Sequence, residues 1–283
     1  MKIPDLGRHC PGLAAILVLP LLGGAGMLVS GCSRAPPSIN LRFAVDDAGR
    51  NNRDGSAEVV VRNLQFYVHD VALRGADGRW RELKLANAGR WQSDRVALID
   101  LAGSAGAERS AALHGALAEG GSQRYSAVRF TLGVPFDLNH ANPLTAAAPL
   151  DRGELFWSWQ LGYKFLRADL ADGEREWSFH LGSTGCVSAS SVRPPSAPCA
   201  QPNRIRVQID DIDPLQAPIR LRLDELVTAM RTVGHAICTG DYARAEGCAE
   251  IFTRTGLSVE TGTCPEDVCR TQRLFSAKRV AGS

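Results

Sequence analysis

The sequence lacks the short motifs that mark common catalytic and nucleotide-binding sites. It contains no GxSxG nucleophile elbow, no Walker A loop and no GxGxxG loop, so no motif indicates a serine hydrolase or a nucleotide-dependent enzyme. The segment Gly182–Gly185 surrounds a serine with glycines, but its spacing is that of a turn. An excess of one charge is also missing, since 32 basic residues face 30 acidic ones. We therefore predict no nucleic-acid partner.

Local metal-binding motifs are missing as well. There is no HxH, HxxxH or HExxH motif and no CxxC pair, which argues against a zinc site built from neighbouring residues. Two of the eight cysteines lie near the N-terminus and six in the last third of the chain. Cysteines of an exported protein form disulfides by default. Sequence alone leaves fifteen connectivities open for six cysteines, and we predict that neighbours pair: Cys186 with Cys199, Cys238 with Cys248, and Cys264 with Cys269.

The N-terminus indicates export. Two basic residues precede an apolar run, Leu13–Leu28, which is too short and too rich in glycine for a permanent membrane span. The run ends in Val-Ser-Gly-Cys, which resembles a bacterial lipobox and predicts lipid modification of Cys32. We therefore expect a periplasmic protein, anchored to the membrane by its lipid, with a lipoprotein signal peptide at 1–31, a tether at 32–39 and one domain at 40–283.

Short alternating stretches of apolar and polar residues, separated by turn residues, predict a mainly β protein. We expect an antiparallel β-sandwich with long loops and a disulfide-stapled C-terminal region. Asn63 is expected to mark a bend or a bulge within a long apolar stretch. Two helices are also predicted, at Ser110–Leu117, where Leu113 and Leu117 are four residues apart, and at Asp224–Arg231.

The most distinctive stretch is Glu154–Phe165, with the sequence ELFWSWQLGYKF. Read as one extended strand, it places Trp157 and Trp159 on the same face. The segment Glu176–Cys186 alternates in the same way, with His180 on the face opposite its aromatic residues. One interpretation is two adjacent core strands filled with aromatic rings. The other is a site that brings two indoles, an imidazole and a cysteine together.

Three histidines lie where the backbone is expected to hold a side chain firmly. His69 is near a strand end, His140 is in a loop bounded by two prolines, and His180 is on the strand after the aromatic one. Imidazole is a common ligand for copper, zinc and nickel, so the three are candidates for a metal site assembled over long range. The competing interpretation is that each histidine is simply hydrogen-bonded within the fold.

Several unusual blocks occur in a fixed order after the signal: FYVHDVAL, GVPFDLNHANP, LFWSWQLGYKF, FHLGSTGC and a late set of cysteines. In this order they resemble the MbnP-like periplasmic copper-binding proteins, the four-Cys-motif member of the metallo-mystery pair. The likeness covers about residues 40–270. The chain has six cysteines after Cys32, so which four correspond to the family's motif stays open.

The resemblance implies a copper protein encoded beside an MbnH-like di-haem partner related to cytochrome c peroxidases. That partner would oxidise Trp157 or Trp159 to kynurenine, which then joins histidines in binding copper. The histidines inside the matched blocks are His69, His140 and His180. On this reading the chain acts in copper handling as a substrate of its partner and is not itself an enzyme. The alternatives are a copper-dependent redox enzyme and a purely structural β-sandwich lipoprotein.

Overall fold

The computed structural model describes residues 38–46, 58–102, 109–117, 124–173, 175–233, 237–239 and 248–277. The predicted signal peptide, Cys32 and most of the predicted tether lie outside these residues. The first strand of the described residues begins at Ser38, two residues before the predicted domain start. In the part of the chain that is described, no helix has the length and apolar character needed to cross a membrane.

Strands dominate the described residues, as predicted. The helices are short: α1 (Phe136–Asn139), α2 (Leu223–Val233), α3 (Ala249–Thr255) and a 3-10 turn at Gly153–Leu155. The strands are β1 (Ser38–Asp46), β2 (Val59–Gly75), β3 (Trp80–Leu85), β4 (Ala97–Asp100), β5 (Ala112–Leu117), β6 (Tyr125–Leu132), β7 (Phe156–Ser158), β8 (Gly162–Tyr163), β9 (Leu166–Asp172), β10 (Arg175–Leu181), β11 (Ile205–Asp210), β12 (Ile219–Arg222), β13 (Ile237–Thr239) and β14 (Phe275–Ser276).

One large sheet is organised around the long strand β2. Its strand order is β13-β10-β9-β2-β3-β5-β1-β12-β14, with β4 and β6 also paired to β2 and β11 paired to β6. Pairing is antiparallel except between β1 and β12 and between β10 and β13. Strand β2 pairs with several strands along its length. Its pairing is irregular, with register shifts between Val61 and Asn63 and after His69. The predicted bulge at Asn63 is confirmed, and such bulges bend a strand.

The sheet curls so that its two halves pack face to face. Phe43 of β1 and Phe275 of β14 meet Phe66 of β2 and Phe130 of β6 edge to face, with ring centroids 5.3 to 5.7 Å apart. All four rings are buried. Edge-to-face contact is a favoured arrangement of aromatic rings in a core. The two halves therefore form the layers of the predicted sandwich.

The predicted helix at 110–117 is wrong, since Ala112–Leu117 forms strand β5. Leu113 and Leu117 are four residues apart, and this spacing puts two residues on one face of a strand as well as of a helix. Gly115 lies between them and is also buried, while His114 is exposed. The backbone of β3 runs so close to Gly115 that a Cβ there would collide with the carbonyl oxygen of Lys84. Pairing with β1 and β3 thus overrides the helical propensity of the alanines.

The described part of the C-terminal region contains two helices, two short strands and an irregular segment held by a disulfide. The predicted helix at 224–231 is confirmed as α2, and Arg254 of α3 forms an ion pair with Glu225 of α2. Cys264 is bonded to Cys269, as neighbour pairing predicts. Cys248 is also disulfide-bonded, whereas the side chain of Cys238 lies outside the described part. The expectation of a disulfide-stapled C-terminal region is confirmed.

Candidate metal centre

The WSW segment forms a tight hairpin. Strand β7 pairs with β8, and Trp159 lies in the turn between them. The Ser158 hydroxyl accepts a hydrogen bond from the Leu161 amide at 3.1 Å, and Gly162 has a φ of +78°, which glycine adopts without steric cost. The prediction that Trp157 and Trp159 share one face of a long strand is therefore wrong, because turn-forming residues follow the second tryptophan.

Trp157 packs its ring against the end of β10. A Cβ at Gly182, the residue after β10, would collide with the six-membered ring of Trp157 and with the carbonyl oxygen of Tyr163. Gly182 is two residues from His180, so the ring lies beside the strand end that carries this histidine. Trp157 and Trp159 are both half-buried, whereas Trp177 is 2% exposed. The two tryptophans of the hairpin are thus partly open to solvent, and Trp177 belongs to the core.

Replacing Gly182 with alanine is expected to displace the Trp157 ring and to destabilise the protein by about 1–3 kcal/mol, the usual cost of overpacking. Urea unfolding and tryptophan fluorescence measure both effects. Gly153→Ala is the matched control, because a Cβ at Gly153 meets no atom within 4 Å. Equal stability losses in the two variants would contradict the tight contact between Gly182 and Trp157.

His140 is the buried histidine beside the hairpin. The proline-bounded segment forms the short helix α1 where a loop was predicted, and the following His140 is 7% exposed instead of presented at the surface. The Nε2 atom accepts a hydrogen bond from the side-chain amide of Asn139 at 3.0 Å. Nδ1 therefore carries the proton and donates to the carbonyl oxygen of Trp159 at 3.3 Å. Burial lowers the pKa of His140, the bond to Trp159 raises it, and the charge of Arg204 lowers it again, with a net lowering. The neutral imidazole therefore has its lone pair on Nε2.

The disulfide between Cys186 and Cys199 packs against His140, and this pair was predicted from the sequence. The Sγ atom of Cys199 is 3.5 Å from Nε2 of His140. Among the described residues, these three form the one group of at least three metal-type side chains whose ligand atoms all lie within 4.8 Å of one another. Metals bind thiolates, and a disulfide has none. In the oxidised state the group therefore offers the imidazole alone.

His180 lies on β10 and is held by Asp169 of β9. Its Nε2 donates to Oδ1 of Asp169 at 2.7 Å, and the Ser178 hydroxyl donates to the same oxygen at 2.8 Å. Asn63 and Arg167 donate to Oδ2 at 2.9 and 2.7 Å. Burial raises the pKa of Asp169, but the hydrogen bonds from His180 and Ser178 and the charges of His180 and Arg167 outweigh it and hold the pKa well below its usual range. With Nε2 on a carboxylate, Nδ1 is the nitrogen left for a metal, an arrangement common among metal-bound histidines.

His69 is a buried residue of β2, beside a cavity of about 260 Å³ with Arg204 and Arg206 on its wall. Its Nδ1 is 2.9 Å from Oδ2 of Asp70, although the angles are poor for a hydrogen bond. The His69 side chain chiefly lowers the pKa of Asp70, which agrees with the short separation of the two groups. Asp70 has a φ of +49°, which is uncommon for a residue other than glycine.

The structure does not draw the three predicted histidines into one cluster. Strand register aligns His180 with Arg167 and Arg167 with Gln65, and His69 is four residues further along β2. The two histidines are two strand spacings apart across the sheet, about 10 Å, and four residues apart along the strand, about 13 Å. Their Cα atoms are therefore separated by about 16 Å. That is too far for two imidazoles on one ion. The residues thus fit copper by donor type, but in this arrangement His69 and His180 do not share an ion.

Sequence reasoning missed two residues that position the site. Asn139 is fully buried, accepts a hydrogen bond from the Tyr163 amide at 2.8 Å and donates to His140. Asp169 holds His180 in place. The signal for Asp169 was present in the sequence, because it alternates with Arg167 between buried apolar residues of β9. Asn139 gave no such signal, since its role depends on the hairpin that packs against it.

Together these features define a β-sandwich whose loops bring a tryptophan-bearing hairpin, a buried histidine and a disulfide into contact. A model of the MbnP family matches residues 36–239, and the chain belongs to this family. The solved structure of MbnP from Methylosinus trichosporium is similar, with a TM-score of 0.66 and 23% identity, over 85% of this chain and 97% of that one. At this identity the likeness concerns the fold. Comparison with curated proteins gives no match.

The family match extends over the whole candidate centre. The two tryptophans of the hairpin, the three histidines and the disulfide of Cys186 and Cys199 all lie within residues 36–239. Helix α3 and the disulfide of Cys264 and Cys269 lie beyond it. The family resemblance stated from the sequence is thereby confirmed.

Proposed function

We propose that this chain is a periplasmic, lipid-anchored protein that binds one copper ion at the hairpin, using histidines and a kynurenine made from Trp157 or Trp159. Membership of the MbnP family supports the proposal. The observation that carries it is the place of the hairpin: Trp159 accepts a hydrogen bond from His140, and the Trp157 ring lies beside the end of the strand that carries His180.

Ring opening gives the tryptophan a chemistry that it lacks in the intact state. An intact indole offers only an N–H donor, whereas kynurenine has a ketone oxygen and an aromatic amine that both approach a metal. Trp159, Phe156 and Tyr163 form a contiguous series of rings, with centroids 6.4 and 5.0 Å apart. This series and the partial exposure of both tryptophans suit oxidation by a di-haem partner that stays outside the fold. We propose an MbnH-like protein as that partner.

The proposed ligands differ in how the fold prepares them. His140 and His180 border the hairpin, and each donates from one ring nitrogen to an oxygen, which leaves the lone pair on the other nitrogen. In His140 that lone pair accepts the hydrogen bond of the Asn139 side chain, which copper would displace. His69 lacks such a hydrogen bond, but its Nδ1 lies 2.9 Å from Oδ2 of Asp70, and we retain it as the third candidate. Because of its distance from His180, His69 would not share an ion with that residue.

The role we propose is binding, with the chemistry of modification supplied by the partner. A copper-dependent redox enzyme would instead turn over a reductant and oxygen and would need an exchangeable water on copper. Steady turnover by the copper-loaded protein would favour that class. Absence of stoichiometric copper after dialysis of the partner-treated protein would favour a structural lipoprotein.

Co-expression with the di-haem partner is expected to yield protein in which one tryptophan of the hairpin has gained an oxygen and lost a carbon, together with one copper per chain. Peptide mass spectrometry identifies the residue, and metal analysis gives the stoichiometry. Phe variants of Trp157 and Trp159 are compared with Trp80→Phe, a control at a half-buried tryptophan that packs on Arg129 outside the hairpin. The variant that lacks the modified residue is expected to lose its copper, and Trp80→Phe to retain it.

Single substitutions of the three histidines test the ligand set. Replacing a true ligand by glutamine is expected to weaken copper binding at least about tenfold, since even loss of an outer partner of a ligand has an effect of this size. A histidine whose loss leaves the affinity unchanged is not a ligand. Tight copper binding by protein with unmodified Trp157 and Trp159 would rule out the kynurenine.

A further inference from the structure

The disulfide beside His140 contains two sulfur atoms that could become metal ligands together with this histidine. The Sγ atoms of Cys186 and Cys199 and a ring nitrogen of His140 all lie within 4.8 Å of one another, a spacing at which three donors reach one ion. The three residues are 6 to 7% exposed, so an ion bound there would be shielded from water. The two sulfur atoms cannot bind a metal as thiolates while they are bonded to each other.

The backbone holds the two cysteines together independently of that bond. Thr184 and Gln201 exchange two backbone hydrogen bonds, at 2.9 and 3.1 Å, and the Ala200 amide donates to the carbonyl oxygen of Gly185 at 3.1 Å. The Gln160 side chain from the hairpin donates to the carbonyl oxygen of Cys186 at 2.8 Å. These contacts flank both cysteines. Breaking the S–S bond would therefore leave the two sulfurs close together and close to His140.

The loop closed by the disulfide is mostly exposed to solvent. Residues 187–198 are mostly exposed, with Val187 at 82% and Val192 at 67%. The loop carries few of the chain's buried apolar side chains, so its opening costs the core little. A reductant can thus reach the sulfurs from the side of the loop without unfolding the sandwich.

We infer that Cys186, Cys199 and His140 form a redox-gated site for a soft d10 metal ion, which binds when the disulfide is reduced and leaves when it re-forms. A dithiol reductant supplies two electrons and two protons, which break the S–S bond and give two thiols, while the dithiol becomes a disulfide. The incoming ion then displaces the two thiol protons and binds two thiolates and the imidazole. Re-oxidation by a second disulfide, through thiol–disulfide exchange, takes two electrons from the thiolates, restores the S–S bond and releases the ion, while the oxidising disulfide takes up two protons and becomes a dithiol.

The ligand set points to Cu(I) or Zn²⁺. Thiolates select these soft or borderline ions, and imidazole suits both. The inference rests on the proposed copper function only in sharing His140, and it needs neither kynurenine nor His180. A chain of this kind would bind a metal in two ways, one through modification of the hairpin and one through reduction of its neighbouring disulfide.

The test uses full-length protein that has never met the di-haem partner. Its disulfides are reduced with a phosphine, the phosphine is removed without oxygen, and Co²⁺ is added as a spectroscopic probe. We expect thiolate-to-cobalt charge-transfer absorption that saturates at one ion per chain in the reduced protein and is missing in the oxidised protein. Competition with a chromophoric chelator then compares Cu(I) with Zn²⁺ and shows which ion the site prefers.

Variants assign the signal to the site. Cys186→Ser/Cys199→Ser is expected to lose the absorption, Cys264→Ser/Cys269→Ser to keep it, and His140→Gln to weaken binding at least about tenfold. The inference is overturned if the signal persists without Cys186 and Cys199, if His140→Gln binds as tightly as the parent, or if circular dichroism shows that reduction unfolds the chain. His180→Gln separates the two sites, because it impairs only the proposed copper site of the modified, oxidised protein.

Discussion

Asp169→Ala is expected to lower the free energy of unfolding by about 3 kcal/mol, the lower end of the cost of breaking a buried ion pair. The carboxylate accepts hydrogen bonds from four residues of three adjacent strands: Asn63 of β2, Arg167 of β9, and Ser178 and His180 of β10. The side chains of Arg167 and His180 are only 22% and 14% exposed. Removing the carboxylate leaves these groups in the sheet without the charge that compensates them.

Urea unfolding at neutral pH measures the loss. Glu176→Ala is the matched control on the same strand as His180, because the pair of Glu176 with Arg62 is 68% and 55% exposed and is expected to contribute less than about 1 kcal/mol. If both variants lost the same stability, the network around Asp169 would have no special role.

The pH dependence of the same variant gives a second test. The pKa of Asp169 is lowered in the folded protein, so its stabilisation is fully present above the unfolded-state value of about 3.9 and is lost as the pH falls toward the folded-state value. The difference in stability between the parent and Asp169→Ala is therefore expected to be constant above about pH 5 and to shrink below about pH 4. A difference that grows on acidification would contradict the assignment.

Local sequence pattern predicted the parts of the fold that depend on alternation. On β10, Trp177, Phe179 and Leu181 face the protein core as expected, and His180 lies on the other face of the strand. The same reasoning failed at β5, because leucines four residues apart satisfy the helical and the strand period equally. Only pairing with the neighbouring strands β1 and β3 decides between the two.

The sequence proposed residues for the candidate site but not their geometry. His140 was proposed as a ligand from its place between two prolines, and this stays a prediction. Its burial depends on Cys199 and on the turn of Trp159, which are distant in sequence. The hairpin was read as a strand because a single glycine with positive φ, Gly162, determines the turn. Gly162 packs tightly on Asn139, which is 23 positions earlier in the chain. No local sequence pattern encodes such a contact.

Cys186→Ser/Cys199→Ser is expected to destabilise the protein by about 3 kcal/mol and Cys264→Ser/Cys269→Ser by about 2 kcal/mol, from the entropy of closing loops of different length. The first disulfide spans 13 positions and the second spans 5. Thermal and urea unfolding of the two double variants, compared with the parent under oxidising conditions, measure the losses.

The two disulfides should also differ in what they do to the site. Cys199 packs on His140, and the carbonyl of Cys186 accepts the hydrogen bond of Gln160 in the hairpin. Loss of this disulfide is therefore expected to shift the imidazole NMR signals of His140, whereas loss of the other leaves them unchanged. Because the backbone bridge between Thr184 and Gln201 survives in both variants, the sandwich should stay folded. An unaltered His140 spectrum in Cys186→Ser/Cys199→Ser would mean that the hairpin alone positions the histidine, and that the disulfide acts only on stability.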